Sequence, residues 1–264
     1  MSEDILIRED RGAVAHLTLN NPKALNALSD AMLAALKDQF SRLSEDRAIR
    51  VVVLAGAGKA FCAGHDLKEM QAARQAPDGG DSYFLDLFTR CGEVMQMIPA
   101  LPQPVIAQVH GIATAAGCQL VASCDMAVAA EGTRFGVNGV NIGLFCATPM
   151  VALTRNIPRK FAFEMLTTGE FIDAARAREL GLVNRVVTPD ALPEATSDLA
   201  RTVAGKLGRA VRIGKRAFYE QAGMDLAAAY QFTGQVMAEN MMYAETAEGV
   251  QAFIEKRAPD WDQD

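Results

Sequence analysis

Apolar and polar positions alternate in two registers along this chain, and the switches between them mark out its elements. Residues 5–8 and 13–20 read as a pair of strands, with turn chemistry at residues 10–12 between them. Met32, Leu33, Leu36, Phe40 and Leu43 then recur at steps of three and four, the spacing of one buried helical face, and Ser29 stands where it would cap that helix. Residues 50–55 (RVVVLA) form a β-branched run too short for a helix and are read as a buried strand. After the break PDGGD at residues 77–81 comes a helix carrying Phe84, Leu87, Phe88, Val94 and Met97, expected to stop near Pro99. A strand at residues 105–109 runs to His110-Gly111, short extended pieces come after residues 125–129, helices are expected to begin near Thr148, Pro158 and Asp173, and a last strand lies at 185–187. From Thr188-Pro189 onward the pattern is only helical. Its stripe of Leu226, Tyr230, Met237 and Met241 is read as packing on the core, with a neighbouring subunit as the alternative. No fixed-period repeat of a solenoid is present.

Composition narrows the function classes. Among 264 residues, 26 Lys and Arg stand against 32 Asp and Glu, a formal net charge of −6, and no run of basic residues offers a phosphate-tracking surface, so no nucleic-acid partner is expected. Five cysteines at irregular spacing (Cys62, Cys91, Cys118, Cys124, Cys146) and three separated histidines suggest neither a disulfide framework nor a metal site. A reducing compartment and an N-terminal stretch with acids from its third residue lead to the expectation of a cytoplasmic protein. Residues 105–124 lack any Asp, Glu, Lys or Arg, but they contain Gln108, His110, Thr114, Gln119 and Ser123, which suit a central strand entering a buried helix better than a membrane span.

The chemistry concentrates in two segments, residues 60–70 (AFCAGHDLKEM) and 111–125 (GIATAAGCQLVASCD), each a turn of small residues where a strand gives way to a helix. A phosphate-loop reading of Gly56-Ala-Gly-Lys59 fails, because Val53 stands where the upstream glycine is required and Ala60 where the hydroxyl residue is. Turns of small residues instead let backbone approach a ligand and leave an N–H free to donate.

The first segment resembles the crotonase (enoyl-CoA hydratase/isomerase) superfamily in its order of small residue, Gly, any residue, Asp, aliphatic residue, Lys and Glu. The match extends from about Leu6 to Arg257, and Val140 to Cys146 resembles the enoyl-CoA hydratase domain-containing subgroup. The resemblance implies an α/β fold, a spiral of β-β-α units in residues 1–188, with a C-terminal helical trimerisation region in 189–264. It further implies a homotrimer or a dimer of trimers acting on acyl-CoA, with coenzyme A as part of the substrate and no permanently bound cofactor. The oxyanion donors it implies are the backbone N–H groups of His65 and Ala116. In Thr114-Ala115-Ala116-Gly117 alanines replace two of the family's glycines, and the donor survives if the dihedrals stay in a region open to L-residues. The CoA contacts it implies involve Lys23, Ala24, Ala63, Asp66, Leu67, Lys68 and Lys256.

The family's hydratases carry a glutamate directly after the Gly-Cys of the second motif and another three residues beyond Phe-Gly. Here those places hold Gln119, which can orient water but not take up a proton at neutral pH, and Gly139, which has no side chain. Losing two acid/base roles, each contributing about 10² to 10⁴-fold, implies weak or altered hydration. Decarboxylation or hydrolysis of a CoA thioester, or acyl-CoA binding without turnover, are the alternatives. Recovery of hydration on replacing Gln119 and Gly139 with Glu would show an intact scaffold that lacks only its proton-transfer groups. Substitutes considered are the His65 side chain, Cys146, water held by Asn138 and Asn141, and Tyr83 or Asp86 from a mobile segment; Asp66 is expected to organise its turn and His110 to be structural.

Overall fold

The computed structural model describes residues 4–261, so residues 1–3, where the acidic N-terminal stretch begins, lie outside it. Strands β1 (Leu6–Arg11) and β2 (Val14–Leu19) pair antiparallel in register Leu6 to Leu19. The hairpin turn is tighter than residues 10–12: β1 runs on through Arg11, and Gly12 at φ +61° reverses the chain together with Ala13. Helix α1 (Asp30–Glu45) buries the five apolar residues its spacing predicts, and Ser29 Oγ accepts from the Met32 N–H at 3.2 Å.

Strand β3 (Val51–Gly56) leads through the first motif to helix α2 (Leu67–Ala73), followed by α3 (Asp81–Ala100), which ends one residue past Pro99. Then come β4 (Val105–Val109), β5 (Ile112–Thr114), α4 (Ala116–Ser123), β6 (Met126–Ala130) and β7 (Arg134–Gly136). Helices α5 (Ala147–Asn156) and α6 (Arg159–Thr168) precede β8 (Ile172–Asp173), α7 (Ala174–Leu180) and β9 (Arg185–Val187). The chain closes with α8 (Leu192–Ala204), α9 (Gly208–Gln221), α10 (Leu226–Met241) and α11 (Ala244–Glu255).

The strands form a six-stranded sheet in the order β1-β2-β3-β4-β6-β9, parallel from β2 onward, and a three-stranded sheet β5-β7-β8. Each of β4 and β6 feeds a short strand of the smaller sheet, so the chain winds as a spiral. One core unites the sheet face of Leu17, Val52, Leu54 and Ala107 with α1, α3 and α4; a second joins Val51, Val53, Ile106 and Val128 to Leu192, Leu199 and Ala200 of α8. With both faces covered, the continuous apolar runs of β3 and β4 are accounted for. Strands β5, β7 and β8, of two or three residues, are too short to display a period of two.

The helical stretch after Pro189 is not uniform. Helix α8 belongs to the sheet, and α9 is clasped to it by Lys215, whose Nζ donates to Ile98 O, Gln103 O and Asp125 Oδ2, each at 2.8 Å. Asp125 also accepts from the Val105 N–H at 2.6 Å and from Tyr219 OH at 2.7 Å, so the buried charges are paired and hydrogen-bonded. The expectation that the α10 stripe packs on the core fails. Leu226, Tyr230 and Met237 are each more than 70% exposed, and only Val236 of this helix is buried. An apolar residue finds core only where its helix lies against one, and α10 packs on α9 at the outside of the chain.

Candidate active site

Strands β3 and β4 run parallel, so their C-terminal ends open on one edge of the sheet, where open α/β folds place ligands. The first motif is bound into this edge from two sides. Cys62 N–H donates to Ile112 O at 3.1 Å and Cys62 O accepts from Thr114 N–H at 3.0 Å, tying it to β5. On the other side, Ala63 N–H donates to Leu25 O at 3.0 Å and Gly64 O accepts from Leu28 N–H at 2.7 Å. Gly64, at φ +91°, lies so close to the second motif that an added Cβ would meet Ala115 Cβ at 3.0 Å and Thr114 O at 3.2 Å. At Gly117 an added Cβ would stand 2.2 Å from Cys62 O. The two turns are therefore packed backbone to backbone, and glycine permits it.

The N–H groups of His65 and Ala116 have no acceptor among the described residues. Ala116 is the first residue of α4, where helix polarity adds to its donor character. The condition set on the alanine turn is met at Ala116 but not at Ala115, which adopts φ 49°, ψ −120°, a glycine region. Its N–H donates to Gly136 O at 2.9 Å, and α4 beyond it is almost entirely buried, so the surrounding structure over-determines the strained residue.

The His65 ring packs edge-on against Phe88 of α3, with centroids 5.6 Å apart. Burial pushes its pKa down, so the ring is neutral at physiological pH; Nδ1 lies 3.4 Å from Leu28 O, and Nε2 is sealed from solvent with no partner. A ring sealed in this way presents no base to water. Asp66 organises its turn as expected, its Oδ1 accepting from the N–H groups of Lys68 at 2.8 Å and Glu69 at 3.4 Å as the cap of α2. Lys68 and Leu67 are exposed in the first turn of that helix. His110 is structural: its Nε2–H donates to Gly58 O at 2.8 Å.

The glutamate-equivalent places differ in their surroundings. Gln119 is buried in α4 and its Oε1 has no hydrogen-bond partner. Gly139 sits in a 3₁₀ turn at residues 138–142, where its N–H donates to Cys146 Sγ at 3.3 Å. An added Cβ at Gly139 would stand 2.3 Å from Leu144 O and 2.8 Å from Cys146 Sγ. Burial pushes the Cys146 thiol upward in pKa, so it is held as a neutral acceptor rather than a nucleophilic thiolate. Asn138 accepts from Thr114 Oγ1 at 2.5 Å and Asn141 Nδ2 donates to Gly169 O at 3.3 Å, so both bind protein groups.

Tyr83 and Asp86 lie in the first two turns of helix α3. Arg90 pairs with Asp86 at 2.6 Å and Asp30 at 2.8 Å, and Tyr83 OH donates to Asp30 at 3.3 Å. Burial and the Asp30 charge push the Tyr83 pKa up to about 12, which leaves the phenol protonated. Lys23 is exposed and Ala24 half-buried in a 3₁₀ turn at residues 22–24. Lys256 is the C-cap of α11, a helix that packs on α10 and pairs with α9 through Arg209 and Glu245.

Sequence reasoning missed Asn26. It is fully buried, its Oδ1 accepts from Asn21 N–H at 2.9 Å, and its Nδ2 donates to Ala57 O and Ala60 O, each at 2.8 Å, stapling the residue 21–28 loop to the first motif. The available signal was an asparagine inside an apolar loop, with no partner legible along the chain.

The Enoyl-CoA hydratase/isomerase family model matches residues 9–264. Enoyl-CoA hydratase domain-containing protein 3, mitochondrial, of Rattus norvegicus is 44% identical over 94% of this chain and 81% of its own length. The crystal structure of an enoyl-CoA hydratase from Mycobacterium smegmatis is 55% identical, superposes with a TM-score of 0.95 and is matched over 98% of this chain and 99% of that one. That of human enoyl-CoA hydratase domain-containing protein 3 is 42% identical, with a TM-score of 0.92, over 97% and 100%. The relatives of this name from rat, mouse, frog, human and zebrafish are all designated mitochondrial, which overturns the expectation of a cytoplasmic chain. That expectation rested on terminal charge and cysteine usage, and free thiols are common to every reducing compartment. Matched along nearly its whole length in sequence and fold, the chain belongs to the enoyl-CoA hydratase/isomerase family.

Proposed function

We propose that this protein is an acyl-CoA thioester enzyme that polarises the thioester carbonyl between the N–H groups of His65 and Ala116 and hydrates enoyl substrates poorly. The observation that carries this reading is the pair of unaccepted N–H donors on two turns locked together through Gly64 and Gly117. Each donor aimed at a developing oxyanion is worth about 3 to 4 kcal/mol, and helix polarity at Ala116 adds to it. Proton transfer is the missing part. Gln119 orients water through its amide, while Leu144 and Cys146 fill the space at Gly139. Lys23, Ala24, Ala63, Asp66, Leu67 and Lys68 border the CoA path in this reading. Lys256 reaches CoA phosphate from an adjacent subunit of a trimer or a dimer of trimers built through the exposed face of α10.

A second reading is decarboxylation of a malonyl-type thioester, in which an enolate must be stabilised but no glutamate is needed to generate it. The closed surroundings of Gly139 favour it, since they exclude a second carboxylate. Mass spectrometry of purified protein incubated with saturated, enoyl, branched and malonyl-type CoA thioesters separates these readings, with heat-killed protein as background. The expected result is slow addition of water to enoyl thioesters. Loss of carbon dioxide moves the assignment to the second reading, and thioesters returned unchanged from a protein that binds them reject turnover.

A further inference from the structure

At the N-terminal ends of β3 and β4, the edge of the sheet opposite the motif turns, α9 and the end of α3 enclose a cleft of about 750 Å³. At about 3.3 Å per residue along β3, it lies on the order of 17 Å from the thioester site. Pro99, Leu101, Ile213 and the ring of Tyr219 give it apolar wall, Gln96, Arg216 and Glu220 add polar lining, and its volume falls within the range of small-molecule sites.

The mouth of this cleft is cationic. Arg47, from the loop between α1 and β3, and Arg212, from α9, both line it, and neither has a carboxylate partner among the described residues. Nearby guanidiniums are already engaged: Arg50 donates to Ala204 O at 2.9 Å, Arg209 pairs with Glu245 at 3.3 Å, and Arg216 lies 3.9 Å from Glu220. Burial and the neighbouring Arg47, Arg209 and Arg50 push the Arg212 pKa down, the mark of a positive group crowded by positive groups. In a chain with a net charge of −6, the cleft lining carries three guanidiniums, Arg47, Arg212 and Arg216, against the single carboxylate of Glu220, a local excess of positive charge. Two unpaired guanidiniums call for a dianion, and planar forks of N–H donors match the oxygens of a phosphate.

We infer that the cleft between α3 and α9 binds an organic phosphate monoester, its phosphate held by Arg47 and Arg212 and its apolar body laid against Leu101, Ile213 and Tyr219.

The test is calorimetric titration of the intact protein with phenyl phosphate, inorganic phosphate and phenol, probes that carry neither a thioester nor an adenine. Saturable binding of phenyl phosphate is expected, weaker binding of inorganic phosphate, and none of phenol. Arg47→Ala, on an exposed loop that leaves the fold intact, is expected to weaken phenyl phosphate about tenfold or more, and Arg212→Lys to weaken it less. Lys23→Ala, in the proposed CoA path, is expected to leave it unchanged. Absence of phenyl phosphate binding, equal binding to the Arg47→Ala protein, or equal affinity for inorganic phosphate would overturn the inference. None of these outcomes bears on the thioester reading.

Discussion

Gln119 and Gly139, the two places where the resemblance implies glutamate in hydratases, have opposite surroundings. Gln119 keeps the length and shape of a glutamate and leaves its amide oxygen unpartnered, so one atom separates it from a carboxylic acid. Gly139 is walled in by a backbone carbonyl and a thiol, so a side chain there has no space to enter. Gln119 holds an uncharged amide in a space that also fits a glutamate side chain of the same length. Gly139 has no such space, so Glu enters without steric conflict only at position 119.

Gly139→Glu should break the comparison most sharply. With Leu144 O at 2.3 Å from the new Cβ, the loop must move, at a cost of about 3 kcal/mol or more; denaturant unfolding should show a lowered midpoint with no gain in hydration. A variant of wild-type stability would mean that the loop between residues 138 and 146 repacks freely. Gln119→Glu should fold normally and raise the rate of enoyl-CoA hydration by about 10²-fold, the lower end of one acid/base role. An unchanged rate, read by product mass, would show that Gln119 does not face the acyl group.

Ala115→Gly probes the turn between these positions. Releasing an L-residue from φ 49°, ψ −120° should stabilise the protein by about 1 kcal/mol net of glycine's greater unfolded-state entropy, and a drop in stability would show that the methyl group packs favourably. The smallest effect concerns pH. Because burial lowers the folded pKa of His65, and likewise that of His16, the unfolded chain binds more protons as pH falls below the unperturbed value of about 6.5. The neutral rings' contribution is fully present above that value and is lost as pH falls toward the folded pKa values. A His65→Gln protein should lose less stability than wild type between pH 7.5 and pH 5.5; identical pH profiles would place the proton uptake elsewhere.

Much of the fold was legible because its signals are local. The helical face of α1, its Ser29 cap, the buried strands β3 and β4 and the starts of α5, α6 and α7 all follow from periodicity and capping within a few residues of each other. Likewise, several motifs in the right order between Leu6 and Arg257 pointed to the family. The α10 stripe was misread because amphipathic spacing reports that a helix has an apolar face, not what lies against it.

What the tertiary structure alone decided are matters of distance between residues far apart in the chain. That Gly64 touches Ala115, that Asn26 staples Ala57 and Ala60, that Ala115 is forced into a glycine conformation and that Cys146 closes over Gly139 all depend on close packing across loops. The sequence by itself determined which residue types could donate, accept or carry a proton at each place. Only the folded chain set which of those places remain open, because close-packed interiors assign space by neighbours that need not be adjacent in sequence.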